Sequence, residues 1–312
     1  MIPSRKLIAV VGQTATGKTA TAIAVAEAVG GEVAGADAYQ VYRGLDIGTA
    51  KPSAAQRRRV PHHLIDVVEP DEELGLARYL DLAREALEDI WSRAKIPVLC
   101  GGSGQYVWAL IEGWQVPRVP PDLGLRATLE RFARERGAEA LHRRLAEADP
   151  VAGGRIDYRN VRRVVRALEV IEREGRPLSA CQVREPIDAQ VLALGLRCAR
   201  EELHRRIDGR VEEMFEAGFV EEVAGLRAKG LGEARPIRSG IGYKEVGLYL
   251  DGDISLEEAV ARTKTATHRL ARNQGAWFKE GDARILWVEA GPEAPAESSA
   301  LAATWSRGPQ GE

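Results

Sequence analysis

Eight residues near the N terminus, Gly12-Gln13-Thr14-Ala15-Thr16-Gly17-Lys18-Thr19, constrain this chain more than any other stretch. They satisfy the spacing G-x-x-x-x-G-K-[ST] and lie between a short apolar run, residues 6–11, and an alanine-rich run, residues 20–29, that meets no breaker before Gly30-Gly31. An apolar run of that length suits a strand buried on both faces of a parallel sheet. The alanine-rich run closed by glycine predicts a helix. Strand, glycine loop and helix in that order turn the pattern into a predicted phosphate site. The glycines let backbone N–H groups face phosphate oxygens, the helix N terminus adds partial positive charge, Lys18 adds a full one, and the Thr19 hydroxyl is placed to ligate Mg²⁺. Binding of a diphosphate or triphosphate follows; a nucleotide does not.

The chain has 312 residues, above the roughly 250–300 at which one hydrophobic core stops growing, so a core with an insertion is expected. The predicted fold is α/β, a P-loop parallel-sheet core with a mainly helical insertion domain. Further strands are expected at 32–37, 96–100 and 191–196, with an edge strand at 285–288. Residues 71–95 show helical spacing at Leu76, Leu80, Ala83, Leu87 and Trp91. Beyond Pro120-Pro121 the texture becomes charged and helical, with 123–148 and 160–174 free of strand pattern. The expected division is therefore a first part of the core at 1–114, a helical insertion at 115–195, and a second part at 196–289 with a basic C-terminal helix. Residues 290–312, rich in Ala, Pro, Gly, Ser and Glu, read as a disordered tail.

Forty-four Lys and Arg against 46 Asp and Glu give a net charge of −2, which argues against a globally basic nucleic-acid packer. Only eight of those cations are lysines, leaving 36 arginines. Three scattered cysteines, Cys100, Cys181 and Cys198, suggest neither a zinc site nor a disulfide framework. No apolar run reaches the ~18 residues of a membrane span. A cytoplasmic protein, without membrane association and monomeric, is expected.

Asp37 ends the second predicted strand, where parallel sheets place their ligands. A carboxylate there could hold a metal-bound water, accept a proton or cap the following turn. Ser103, in the loop Gly101-Gly102-Ser103-Gly104 after another strand, should face the same crevice or cap the helix behind it. A phosphotransferase would want a metal-holding Asp at a strand end; Asp66 in His63-Leu64-Ile65-Asp66 is a weak candidate.

Taken in order, G-Q-T-A-T-G-K-T (12–19), A-D-A-Y-Q-V-Y-R-G-L-D-I-G-T-A-K-P (36–52), V-P-H-H-L-I-D (60–66), G-G-S-G-Q-Y (101–106), R-V-E-E-M-F-E-A-G-F (210–219), I-G-Y-K-E (241–245) and R-L-A-R-N-Q-G-A-W-F-K (269–279) closely resemble the tRNA dimethylallyltransferases, of the bacterial type without a zinc finger. The resemblance covers about residues 6–280. It implies transfer of a five-carbon prenyl group from dimethylallyl diphosphate to N6 of the adenine 3′ to the anticodon, with the P-loop holding the donor's diphosphate. It implies Asp37 as general base and Ser103, where the family has Thr, as a second catalytic residue. It implies Arg210 on the diphosphate, and the tRNA anticodon stem-loop as partner with Mg²⁺ as cofactor. It also implies tRNA contacts by Asp37, Ala38, Tyr39, Gln40 and Ser103 at the base, by Arg126, Arg162, Arg163 and Arg166 in the insertion, and by Arg238, Gly242, Tyr243, Lys244, Arg269 and Arg272 in the core. Around residues 156–160 the chain departs from the family's usual P-N-D turn.

The arginine distribution agrees with a nucleic-acid partner. Arg155, Arg159, Arg162, Arg163 and Arg166 oppose one local acid, Asp157, and no acid falls within residues 263–279, where Lys264, His268 and Arg272 step along one strip. Arg57-Arg58-Arg59 makes a third cluster, equally readable as a solvated face. A small-molecule P-loop kinase and an RNA-binding nucleotide switch remain alternatives on the motif alone.

Overall fold

The computed structural model describes residues 5–308 except Gln182. It divides into a larger unit, residues 5–111 and 188–308, and a helical unit, Glu112–Ile187.

The larger unit opens with β1 (Lys6–Gly12), α1 (Lys18–Val29), β2 (Glu32–Gly35), α2 (Ala54–Arg59), β3 (His62–His63), α3 (Leu76–Ser92), β4 (Pro97–Gly101) and α4 (Gly104–Ile111). The helical unit holds α5 (Leu123–Arg136), α6 (Ala138–Ala148), α7 (Pro150–Arg155) and α8 (Val161–Glu174). The chain returns through β5 (Gln190–Arg197), α9 (Arg200–Glu216), α10 (Phe219–Ala228), α11 (Arg235–Ser239), α12 (Tyr243–Leu250), α13 (Leu256–Trp277), β6 (Ile285–Glu289) and α14 (Ala294–Arg307).

All six strands are parallel, in the order β3-β2-β4-β1-β5-β6. The expected fold class is the observed one. Leu7 through Val11 are fully buried, which is why β1 reads as an unbroken apolar run rather than an alternating one. Full burial of each Leu, Ile or Val side chain there stabilises the fold by about 1.5–3 kcal/mol. Helix α1 ends where Gly30 takes φ 64°, a left-handed conformation that donates its N–H back to Ala26 and Glu27. The two-residue strand β3 was not legible, being too short to show a period.

Three expectations change. Residues 190–197 belong to the sheet, so the helical unit ends at Ile187 rather than at 195. The stretch 123–148 is two helices, broken where Gly137 takes φ 89°. The expected disordered tail is largely α14: Ala302 is fully buried with Ala22, Val25 and Ala26 of α1, and Trp305 and Leu301 pack beside it. Small side chains allow that close helix approach, and the same smallness made the segment look too polar to fold. Residues 309–312 lie outside the described residues.

Within the helical unit, Leu129, Leu141, Leu145, Val164, Val165 and Ala167 form the core. Its entering and leaving segments pair through an antiparallel bridge, Trp114 with Arg184, and the Glu185 N–H donates to the Gly113 carbonyl at 2.9 Å.

Candidate active site

The carboxyl ends of β1, β2 and β4 meet α9 and α13 around a cavity of about 660 Å³. Its lining includes Thr14, Ala15, Gly17, Lys18 and Thr19 of the P-loop, Asp37 to Gln40, Ser103, Arg210 and Tyr243. The residues expected to carry the chemistry are thus brought together. Thr16 is instead buried, its hydroxyl donating to the Gln13 carbonyl at 2.8 Å. Gln13 turns away to donate to the Ala271 carbonyl at 2.9 Å, and Gly12 ends β1 with φ 141°, leaving no room for a Cβ beside the Leu196 carbonyl.

The loop is braced from a side the motif does not show. Gln274 of α13 accepts the Thr14 N–H at 2.7 Å, and with the Gln13 bond this ties the P-loop to α13 at two points. Sequence reading placed Gln274 only inside a basic tract; its burial and its contact with the loop are tertiary facts. The Gly-Gly-Ser-Gly turn has the same explanation. A Cβ at Gly101 would lie 2.0 Å from the Ala36 carbonyl oxygen, one at Gly102 2.3 Å from Gln274 Nε2, and one at Gly104 2.3 Å from Trp277.

Two cations face the cavity without a carboxylate within ion-pair distance among the described residues. Lys18 Nζ donates to the Gln13 carbonyl at 2.5 Å. Enclosure within the cleft pulls its pKa down to about 8, aided by Arg210 and opposed by Cys100 and Asp37. Arg210 on α9 is likewise lowered by burial, with Asp37 and Glu213 opposing; among the described residues its side chain makes one hydrogen bond, a long one of 3.5 Å to Thr14 Oγ1. An enclosed cation without a fixed counter-charge is arranged for an anionic ligand.

Asp37 divides its two oxygens. Oδ1 accepts the N–H groups of Tyr39 at 2.9 Å and Gln40 at 3.2 Å, the turn-capping use foreseen as one option. Oδ2 makes no hydrogen bond among the described residues and is left for a ligand. Ser103 does not cap α4 with its side chain. Its Oγ accepts the Ala38 N–H at 3.2 Å, joining the β4 loop to the β2 loop. Behind them, Tyr79 donates to the Gly35 carbonyl and stacks on Tyr106 at 3.8 Å.

The segment Asp46-Ile47-Gly48-Thr49-Ala50-Lys51-Pro52 is shaped by two charges. Glu222 of α10 accepts the N–H groups of Asp46, Ile47 and Gly48 at 3.0, 2.6 and 3.2 Å, and the Tyr243 hydroxyl at 2.7 Å. Lys51, its side chain 1% exposed, binds Asp46 and Asp66 at 2.6 Å each. Gln40 Nε2 then donates to the Thr49 and Ala50 carbonyls at 3.0 and 3.3 Å. Asp66 is held by Lys51 and Arg57, so it is a structural ion-pair partner, not the strand-end metal ligand considered for it. Glu222 carries no motif and was missed.

The basic clusters resolve unevenly. Arg57 and Arg59 pair with Asp66 and Glu27, the solvated-face reading. Lys264 pairs with Glu212 at 2.5 Å and His268 with Asp208 at 2.7 Å. The acids absent from residues 263–279 are supplied by α9, leaving Arg269 and Arg272 exposed. In the helical unit Arg126 and Arg166 both hold Glu169, whose side chain is fully buried, while Arg162 and Arg163 are exposed at the start of α8. That start keeps its turn despite the unusual residues, with Asn160 Oδ1 accepting the Arg163 N–H. Arg238 and Lys244 are exposed, and Gly242 begins α12 with φ 83°.

No cluster of three or more His, Cys, Asp or Glu able to hold a metal ion is present among the described residues. The Thr19 hydroxyl in the cleft is a hard oxygen donor of the kind Mg²⁺ uses when ligand phosphates and water complete its shell.

A parallel sheet with a glycine-rich phosphate loop after β1, two uncompensated cations and a carboxylate at the next strand end define a P-loop protein with a site built for an anionic ligand. An IPP transferase family model matches residues 40–281 and an isopentenyl transferase model residues 5–65. The chain is 50% identical over 279 residues to a tRNA dimethylallyltransferase of Roseiflexus castenholzii, spanning 89% of this chain and 90% of that one. It is 47% identical over 275 residues to one of Thermomicrobium roseum, spanning 88% and 84%. The crystal structure of the full-length tRNA isopentenylpyrophosphate transferase of Bacillus halodurans superposes with TM-score 0.71 at 37% identity, covering 97% of both chains. A eukaryotic dimethylallyltransferase acting on tRNA superposes with TM-score 0.81 at 27% identity, covering 96% of this chain and 78% of that one. The chain belongs to the tRNA isopentenyltransferase family.

Proposed function

We propose that this protein transfers the dimethylallyl group of dimethylallyl diphosphate to N6 of the adenine on the 3′ side of a tRNA anticodon, releasing diphosphate. The observation that supports this most directly is the sharing of one cavity by the P-loop, Arg210, Asp37 and Ser103. The adenine amine is a weak nucleophile because its lone pair is delocalised, so attack benefits from proton removal as the bond forms. N6 attacks the allylic carbon of the donor, the carbon–oxygen bond to diphosphate breaks, and the departing proton goes to Asp37 Oδ2. Ser103, by holding the Ala38 N–H, fixes the turn that aims this carboxylate. Charge building on the leaving diphosphate is met by Lys18, Arg210 and the loop N–H groups. The base must leave its stack to enter, which costs a few kcal/mol and less in a loop than in a duplex.

The Thr19 hydroxyl is the protein group that would hold Mg²⁺, with diphosphate oxygens and water completing its shell. When bound, the ion supplies further charge neutralisation to the diphosphate oxygens. The exposed Arg162 and Arg163, and Arg269 and Arg272 with Lys244 and Arg238, contact tRNA phosphates, whereas Arg126 and Arg166 hold Glu169. No helix among the described residues is long and apolar enough to cross a membrane, and we place the enzyme in the cytoplasm as a monomer.

The deciding assay incubates the protein with Mg²⁺, labelled dimethylallyl diphosphate and unmodified tRNA. Label is expected on adenosine in the anticodon loop, and chelation by EDTA is expected to stop its appearance until Mg²⁺ is restored. No prenylated adenosine, together with turnover of ATP, would overturn the proposal in favour of a P-loop kinase.

A further inference from the structure

The cavity has an apolar side that phosphate and base recognition leave unused. On α9, Ile207, Arg210, Val211 and Met214 share one face at helical spacing and all line the cavity. Arg210 is therefore flanked by apolar side chains in both directions along the helix. Ile207 is a packed part of the lining, fully buried against Leu203, Ala271 and Ala15. Met214 lies about 6 Å farther along the helix axis, and Ile241, Leu270, Phe219 and Tyr243 line the same cavity.

Two of these side chains, Phe219 and Tyr243, form a wall with no slack. Phe219 and Tyr243, each 1% exposed, meet edge to face with ring centroids 5.0 Å apart. A single Cβ added at Gly48 would lie 2.3 Å from Phe219 and 2.6 Å from Tyr243, so backbone backs both rings directly. A Cβ at Gly242 would lie 2.6 Å from Phe219. The rings cannot retreat, because Glu222 accepts hydrogen bonds both from the Tyr243 hydroxyl and from the N–H of Gly48. One carboxylate thus holds a ring and the backbone behind it in fixed relation.

We infer that Phe219, seated against Tyr243 and Gly48, is the specificity-determining residue that limits the prenyl donor to a single five-carbon unit. The inference rests on the prenyl-transfer reading and deepens it. With the diphosphate held by Lys18 and Arg210, the donor's tail runs along the Met214 side of α9. One isoprene unit stops short of the Phe219 ring, and a second would have to pass through it. Close-packed interiors accept added volume poorly when the surrounding groups cannot shift. Glu222 is a positioning residue for this wall.

The test measures kcat/KM on one tRNA with dimethylallyl diphosphate and with geranyl diphosphate, identifying the modified adenosine by mass spectrometry. The native enzyme is expected to prefer the shorter donor by on the order of 100-fold, in line with pocket-based discrimination of hydrocarbon size. Phe219→Ala is expected to lower that preference at least tenfold, and Phe219→Leu to lower it by a smaller factor. Val165→Ala, in the core of the helical unit and away from the cavity, is expected to leave the ratio unmoved. An unchanged ratio in folded Phe219→Ala, or an equal change in Val165→Ala, would overturn the inference. If Phe219→Ala does not fold, Phe219→Leu carries the same test. Failure of the prenyl-transfer reading itself would show separately, as no transfer from the five-carbon donor by the native enzyme.

Discussion

The cavity and the helical unit both concentrate cationic side chains, and they treat them in opposite ways. At the cavity, among the described residues, Lys18 bonds to a neutral carbonyl and Arg210 weakly to a hydroxyl, with no carboxylate partner for either. In the helical unit, Arg126 and Arg166 close on the fully buried Glu169, and Arg173 pairs with Asp122. The first arrangement leaves positive charge uncompensated where a ligand is to bind. The second uses it to make a buried carboxylate tolerable. An arginine count cannot separate the two uses; the partner of each guanidinium does.

The contrast would break most decisively at Asp37, the carboxylate that shares the cavity with those free cations. Asp37→Ala is expected to lower single-turnover transfer by roughly 10²–10⁴-fold while tRNA binding in a filter assay changes little. Loss of binding instead would make Asp37 part of the fold or of base recognition.

Next in size is Arg210→Lys, which keeps the charge and loses the fork. A fall in kcat/KM for the donor of about 10²-fold is expected, with thermal unfolding unchanged because no carboxylate is orphaned. Glu169→Gln should show the reverse pattern. It leaves two arginines without their shared acid and is expected to destabilise the protein by roughly 3 kcal/mol, read by denaturant unfolding, with the donor KM of the folded fraction intact. Burial would raise the Glu169 pKa, but hydrogen bonds from Arg126, the Asp122 N–H and Arg166 outweigh it and hold it at about 2. Because the folded-state value is depressed, this stabilisation is present above the ordinary glutamate range near pH 4.5 and is lost as pH falls toward 2. Native and Glu169→Gln proteins should therefore converge in stability on acidification over that range.

A smaller effect concerns Lys18. With its pKa lowered to about 8, the ammonium that meets the diphosphate is lost as pH rises through that value. Donor affinity should weaken about tenfold between pH 7 and 9 if only the charged form binds. Lys18→Arg should flatten that dependence, whatever its cost in affinity; an equal pH slope in both would sink the assignment. The smallest effect is on the surface: Arg272→Ala should reduce the slope of log affinity for tRNA against log salt by roughly one, and Arg166→Ala should not.

How much of this was legible in the sequence depended on how local the physics was. The P-loop, its flanking strand and helix and the glycine stop at Gly30 were all readable, because they are settled within a few residues. Asp37 and Ser103 could be placed at strand ends but not given roles, since their partners Tyr39, Gln40 and Ala38 are set by loop geometry. The acid-free strip on α13 misled in part, because Glu212 and Asp208 reach Lys264 and His268 from α9, more than fifty residues away in the chain. The C-terminal segment misled for a related reason. Its alanines look too weakly apolar to fold, and they bury only because α1 presents a matching row of small side chains.

By itself, then, the sequence determined a parallel α/β core opening on a phosphate loop, and, through its motifs, the family. Only the tertiary structure decided which of the cations are free. That outcome follows from where they stand: an ion pair forms across whatever elements the fold packs together, and burial decides whether a charge is compensated by the protein or kept for a ligand. The same holds for Gln274, Glu222 and Phe219, ordinary residues in their own helices that gain function from what lies opposite them.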